Sequence, residues 1–126
     1  RLGRLPYRTL DFAFETLPVD SYQPVGVVNY TVEERFTRIT EFKKLTGQKL
    51  DGVTTIAREY PRACAPGDEP YYPIPDAEST ARYAAYRQEA DRCPTLRLLG
   101  RLAEYRYYNI DAIVARALAM AQAMPL

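Results

Sequence analysis

Tyr7-Arg8-Thr9-Leu10-Asp11-Phe12-Ala13-Phe14-Glu15 is the stretch on which the fold turns. Arg8, Leu10, Phe12 and Phe14 fall on one face of it, and Tyr7, Thr9, Asp11 and Ala13 on the other. A period of two predicts a β-strand. Working outward, Leu17-Pro18 and Gln23-Pro24 bound a loop, and Val25 to Tyr30 is a β-branched, buried strand. Gly26 inside it marks a bulge or a close backbone approach. Glu33-Glu34 make a polar turn, after which Phe36 to Lys43 predicts a further strand. There Arg38, Thr40 and Phe42 alternate against Thr37, Ile39 and Glu41. Thr46-Gly47-Gln48 and Asp51-Gly52 are turn signals. Val53 to Tyr60 is a fourth strand, Pro61 to Pro70 a loop, and Tyr71 to Ile74 a short extended piece clipped by prolines.

The character then changes. Asp76 caps a helix running to about Arg92, rich in the strong helix formers Ala81, Ala84, Ala85 and Ala90. Leu96 to Leu99 predicts a short apolar strand ending at Gly100. Tyr105 to Tyr108 leads to Asn109, an N-cap, and a helix with Ile110, Ile113, Val114, Ala117, Leu118 and Ala121 on one face. The class is therefore α+β: a largely antiparallel sheet, then a helix, a short strand and a C-terminal helix. Residues 1–75 form the sheet part and 76–126 the helix–strand–helix part. The chain opens directly into an apolar strand, which reads as a cut within a larger protein.

Composition narrows the function. The 126 residues carry 17 basic and 16 acidic side chains, a net charge of +1, so no field recruits nucleic acid or an anionic membrane. No stretch approaches the roughly 18 apolar residues of a membrane span. Histidine is absent, and Cys64 and Cys93 have no CxxC spacing, which argues against a metal site or a hydrolytic dyad. The two thiols read as reduced, cytoplasmic side chains, and the sequon Asn29-Tyr30-Thr31 reads as chance. Eleven tyrosines without a tryptophan suit surfaces that must be apolar and hydrogen-bonding together, although any single one reads as a half-buried strand residue.

Four stretches combine guanidinium groups with phenols: Tyr7-Arg8-Thr9-Leu10; Thr37-Arg38-Ile39-Thr40-Glu41-Phe42-Lys43; Pro70-Tyr71-Tyr72-Pro73; and Gly100-Arg101-Leu102-Ala103-Glu104-Tyr105-Arg106-Tyr107-Tyr108-Asn109-Ile110-Asp111. Arg supplies a planar fork for phosphate oxygens and Tyr a directional O–H beside an apolar face. Converging, they suit a pyrophosphate; taken singly, each arginine reads rather as a strand residue paired to a surface acid. Free N–H groups at the start of the last helix favour a phosphate or the negative edge of a reduced flavin, and otherwise form an ordinary capped helix.

In this order the four stretches resemble the C-terminal part of bacterial UDP-galactopyranose mutases, over nearly the whole chain. The resemblance implies a piece of a larger FAD-binding α/β enzyme, an isomerase that interconverts UDP-galactopyranose and UDP-galactofuranose through an adduct on the reduced flavin's N5. It implies that Arg8, Tyr72 and Tyr107 hold the substrate diphosphate, that Asn29 and Arg38 line the substrate pocket, and that Arg101 and the backbone at Asn109 and Ile110 approach the flavin. None of these is a self-sufficient catalyst. Asn109 stands where the family often has Asp, and Phe42 where many members have His. The Gly-rich nucleotide turn is not among the six glycines. A missing N-terminal FAD-binding domain follows as a partner, together with a UDP-galactose-type substrate and a homo-oligomeric state. By itself the chain is expected neither to retain FAD nor to turn over substrate. The alternatives are a related flavin oxidoreductase, a mutase for another nucleotide sugar, or a non-catalytic module binding nucleotide sugars or RNA.

Overall fold

The computed structural model describes residues 2–124. Its elements are β1 (Tyr7–Leu17), β2 (Val27–Asn29), β3 (Arg38–Glu41), α1 (Phe42–Thr46), β4 (Thr54–Ala63), β5 (Tyr72–Pro73), α2 (Ala77–Asp91) and α3 (Ile110–Gln122). The protein is α+β, with antiparallel pairing of β1 with β5, β2 with β3, and β3 with β4. Two compact units are distinguished, one of them Leu10–Arg62 and the other made from the segments on either side of it. The change of composition near residue 76 coincides with the start of α2, inside the second of these.

In the Leu10–Arg62 unit the strands follow the order β2-β3-β4-β1. Val28 pairs with Ile39, and Ile39 in turn with Arg58. Side-chain pairs reverse along β1 and β4: Thr16 meets Thr55 at 3.1 Å, Glu15 meets Arg58 at 2.5 Å, and Asp11 takes both oxygens to Arg62 Nε. The alternation read from the sequence holds at 38–41, where Ile39 and Glu41 are buried and Arg38 and Thr40 are half-buried. Ile39, Ile56 and Ala57 form the apolar core.

A carboxylate shares that core. Glu41 is fully buried and accepts from the backbone N–H of Tyr22 (3.1 Å) and Gln23 (3.0 Å) and from the Thr54 hydroxyl (2.7 Å). Burial pushes its carboxyl upward, but these donors, with the charge of Lys44 nearby, outweigh it and hold the carboxyl below the ordinary value. The loop 18–25 is thereby fastened to β3 by a side chain the sequence presents only as one of an alternating set.

Element boundaries differ from the sequence reading, and β2, expected as a buried strand over 25–30, is confined to Val27–Asn29 with Val25 and Val27 exposed. Phe42 and Lys43 do not continue β3 but begin α1, because Lys43 Nζ turns to the carbonyls of Leu50 (2.6 Å) and Val53 (2.8 Å). Gly47, at φ 70°, then ends the helix in the left-handed conformation glycine favours. The strand expected up to Tyr60 extends through Pro61 to Ala63. Gly26 is a close approach as expected: a Cβ there would lie 2.4 Å from Leu45 Cδ2.

In the second unit, β5 pairs with the start of β1, Tyr7 opposite Pro73 and Arg8 opposite Tyr72. Asp76 caps α2 through a reciprocal capping box with Ser79, as its position predicts. Tyr7, Tyr83 and Tyr105 pack together, Tyr105 edge-on to Tyr7 at 5.4 Å and stacked on Tyr83 at 5.6 Å. The short strand expected at Leu96–Leu99 does not form. Arg97 instead binds the carbonyls of Pro94 (2.5 Å) and Leu96 (3.0 Å), and the run stays irregular without a strand partner among the described residues. Gly100, at φ 99°, begins a series of turns that ends at Asn109.

Candidate functional site

The candidate residues fall in both units, and each group is described by itself. In the Leu10–Arg62 unit, Asn29 and Arg38 are directly opposite each other on β2 and β3. Arg38 Nε donates to Asn29 Oδ1 at 2.9 Å, and its guanidinium lies 3.6 Å from Glu59, its neighbour across β4. Arg38 thus has an acid partner, as the alternative reading of a strand arginine anticipates, and it also aligns the amide of Asn29. Beside them Phe36 packs edge-on between Tyr30 and Tyr60, with ring centroids 4.9 and 6.0 Å away. The Arg58 guanidinium lies over Phe36 and Tyr22, and its salt bridge and hydrogen bond to Glu15 and Tyr22 raise its pKa further.

The second unit gathers Arg8, Tyr72, Arg101, Tyr107, Asn109 and Ile110. Arg8 and Tyr72 are cross-strand partners, and the Tyr71 N–H donates to the Arg8 carbonyl at 2.9 Å. The exposed Arg8 guanidinium has no hydrogen-bond or ion-pair partner among the described residues. Arg101 is the more constrained. Its Nε donates to the Tyr108 carbonyl at 2.7 Å, and the guanidinium lies 4.5 Å from the Tyr107 ring centroid. A stacked, singly anchored guanidinium keeps N–H groups on its outer edge for an anion. Tyr107 is 63% exposed.

Asn109 is the N-cap of α3, as predicted, with an extended backbone (φ −75°, ψ 170°). Its side chain makes no capping hydrogen bond, so the first-turn N–H groups have no acceptor from it. Ile110 is 75% exposed beside them, and Asp111 adds a negative charge to the same turn.

Two residues hold this group in shape, and sequence reasoning passed over both. Tyr105 is 3% exposed and carries φ 49°, the only positive φ outside glycine among the described residues. Its hydroxyl lies 2.7 Å from the Pro6 carbonyl and 2.8 Å from that of Ile74. These are two residues before Arg8 and two after Tyr72, so Tyr105 fastens the turn carrying Arg101 and Tyr107 to the strand ends carrying the other pair. The Tyr7 hydroxyl adds a bond to the Leu102 carbonyl at 3.1 Å. Burial, then the neighbouring phenols of Tyr105 and Tyr83, raise the pKa of Tyr7.

Glu104 is the other. It is 7% exposed and accepts from the Gly100 N–H (3.3 Å), the Tyr108 hydroxyl and Arg116 Nε (2.8 Å). Burial opposes its ionisation, but these donors outweigh it and lower the carboxyl pKa. The Tyr108 phenol is raised in turn, by burial and then by the carboxylate it serves. An acid inside an otherwise aromatic and basic run was the available signal.

Comparison with known proteins places these residues in context. The family model described as UDP-galactopyranose mutase matches residues 1–107. A UDP-galactopyranose mutase of Mycoplasma pneumoniae is 39% identical over 125 residues, covering 95% of this chain and 31% of that protein. A probable UDP-galactopyranose mutase of Klebsiella pneumoniae is 39% identical over 117 residues, covering 92% and 30%. A dTDP-fucopyranose mutase of Escherichia coli is 35% identical over 121 residues, covering 95% and 32%. The chain thus spans about three-tenths of the length of the curated relatives it matches. By the match over residues 1–107, which include both strand pairs and the turn as far as Tyr107, the chain belongs to the UDP-galactopyranose mutase family.

Proposed function

We propose that this chain supplies the diphosphate-binding part of a flavin-dependent mutase that interconverts the pyranose and furanose forms of a nucleotide sugar, UDP-galactose first. One observation carries the reading: Tyr105 ties the turn bearing Arg101 and Tyr107 to the strand ends beside Arg8 and Tyr72. Two guanidinium groups and two phenols thereby belong to one packed unit, a donor set suited to the several oxygens of a pyrophosphate. The relatives' names include a UDP-sugar and a dTDP-sugar mutase, and a nucleoside diphosphate is common to both. In this reading Arg8 and Arg101 neutralise the diphosphate, Tyr72 and Tyr107 donate to it, and Asn29 and Arg38 contact the substrate.

The residues present fit one edge of a reduced flavin. The N–H groups at the start of α3 lack an acceptor from Asn109, and the macrodipole favours a partly negative atom there. The backbone at Asn109 and Ile110 would hold that edge, and Arg101 would offset its charge, while Asp111 works against it. When bound, the flavin supplies the nucleophile that makes sugar-ring isomerisation possible without net redox change. The chain's own residues bind, orient and neutralise. By itself the chain neither retains FAD nor turns over substrate, and we place it in the cytoplasm and in a homo-oligomer.

The test is turnover of UDP-galactose under dithionite by this chain joined to a flavin-nucleotide-binding portion, beside the chain alone. Interconversion by the joined protein, lost in Arg8→Met and Arg101→Met, is the expected result. Stoichiometric flavin and turnover with the 126 residues alone would contradict the division of labour, and unchanged turnover in both variants would contradict the roles assigned to them.

A further inference from the structure

We propose that Glu104, which no contact role covers, is the positioning residue of this site: it sets Arg101 and the start of α3 in the arrangement that meets the ligand. The inference rests on the reading of Arg101 as an anion contact. Its basis is geometric. The Glu104 side chain is 6% exposed, and its donors come from both ends of the turn and from the helix beyond. The Gly100 N–H stands at the beginning of the turn, the Tyr108 hydroxyl at its end, and Arg116 Nε in α3. Tyr108 then presents its carbonyl to Arg101 Nε at 2.7 Å, and that bond places the Arg101 guanidinium against the Tyr107 ring.

The path runs from carboxylate to phenol to backbone carbonyl to guanidinium, with a branch through Arg116 that fixes the direction of the first turn of α3. A carboxylate almost removed from water is costly unless every oxygen is served, and here every donor belongs to the segment that carries the candidate contacts. Arg106, 4.0 Å away, is the other charged group facing it. In Glu104→Gln the amide N–H₂ replaces either Oε2, which accepts from Gly100 N–H and Tyr108 O–H, or Oε1, which accepts from Arg116 Nε–H, so at least one N–H donor is left without its acceptor.

The experiment follows the Arg101 Nε–H resonance and UDP affinity in the whole chain, with folding checked by circular dichroism. In Glu104→Gln, Arg101 Nε–H exchange is expected to rise and UDP affinity to fall, each about tenfold, the equivalent of one lost hydrogen bond. In an Arg101→Met background the same change should cost less than about twofold, since a residue acting through Arg101 has nothing left to act on. Arg116→Met, at a half-exposed side chain, repeats the test should Glu104→Gln not fold, and Arg116→Lys should restore much of the affinity. Unchanged Arg101 exchange in folded Glu104→Gln, or an undiminished loss in the Arg101→Met background, overturns the proposal. If Arg101→Met leaves UDP affinity as it was, the diphosphate reading fails instead, and the exchange of Arg101 Nε–H still decides whether Glu104 positions it.

Discussion

The Tyr105 hydroxyl lies 2.7 Å from the carbonyl oxygen of Pro6, joining residues 99 positions apart in the sequence. Together with its approach to Ile74, that bond gathers Arg8, Tyr72, Arg101 and Tyr107 into one unit. Tyr105→Phe keeps the ring contacts with Tyr7 and Tyr83 but removes the hydroxyl that the Pro6 and Ile74 carbonyls share, leaving Pro6 only the longer bond from the Ile74 N–H (3.3 Å) and Ile74 its donors Ser79 and Asp76. The expected cost is about 0.5–1.5 kcal/mol in urea unfolding, the net value of one hydrogen bond. UDP affinity should fall as well, because the turn loses its fastening.

Arg8 should behave differently. Its guanidinium has no partner among the described residues, so Arg8→Met should leave unfolding within about 0.5 kcal/mol of wild type. Loss of a charged hydrogen-bonded contact of about 1.5–3 kcal/mol corresponds to a UDP affinity roughly 10- to 100-fold weaker. Calorimetric titration beside a denaturant curve separates the two effects. Equal losses in both would mean that Arg8 is structural.

Ile56 is fully buried in the Leu10–Arg62 unit. Ile56→Ala should cost about 2–5 kcal/mol, the range for removing a core aliphatic chain and leaving a cavity. A loss under about 1 kcal/mol by denaturant unfolding would show that the unit collapses around the gap.

Acid should destabilise the protein through two buried carboxylates. Glu41 and Glu104 both have pKa values lowered from 4.5 in the folded chain. The stability each contributes is present above its unfolded value and is lost as pH falls through the lower folded one. Unfolding midpoints between pH 7 and pH 3 should therefore drop mainly below about 4.5. Glu41→Gln should be less stable at neutral pH and show a shallower acid limb; an identical limb would remove Glu41 from the account.

Alternation made the strands legible in two different ways: at 38–41 it follows from burial of Ile39 and Glu41 on one face, whereas over Tyr7–Glu15 the strand forms although Phe12 and Phe14 on its apolar face are exposed. The sequence also placed the caps at Asp76 and Asn109, though only Asp76 uses its side chain as one. Asn109→Ala should accordingly change α3 helicity little, whereas Asp76→Ala should fray α2. Phe42 was misread because the strand ends through a long-range act, Lys43 reaching the 50–53 carbonyls. Leu96–Leu99 was misread because a short apolar run shows nothing of whether a neighbouring strand exists. The candidate contacts were visible as Arg–Tyr pairs, but their supports were not. Tyr105 and Glu104 act through bonds to distant carbonyls and helices that no local pattern records.

The most direct test of the account is titration of the 126-residue chain with UDP and, separately, with uridine. Salt-sensitive binding of UDP, much stronger than that of uridine and weakened in both Arg8→Met and Arg101→Met, is the result expected of a diphosphate site. Uridine bound as well as UDP, or UDP affinity indifferent to both arginines, would contradict it.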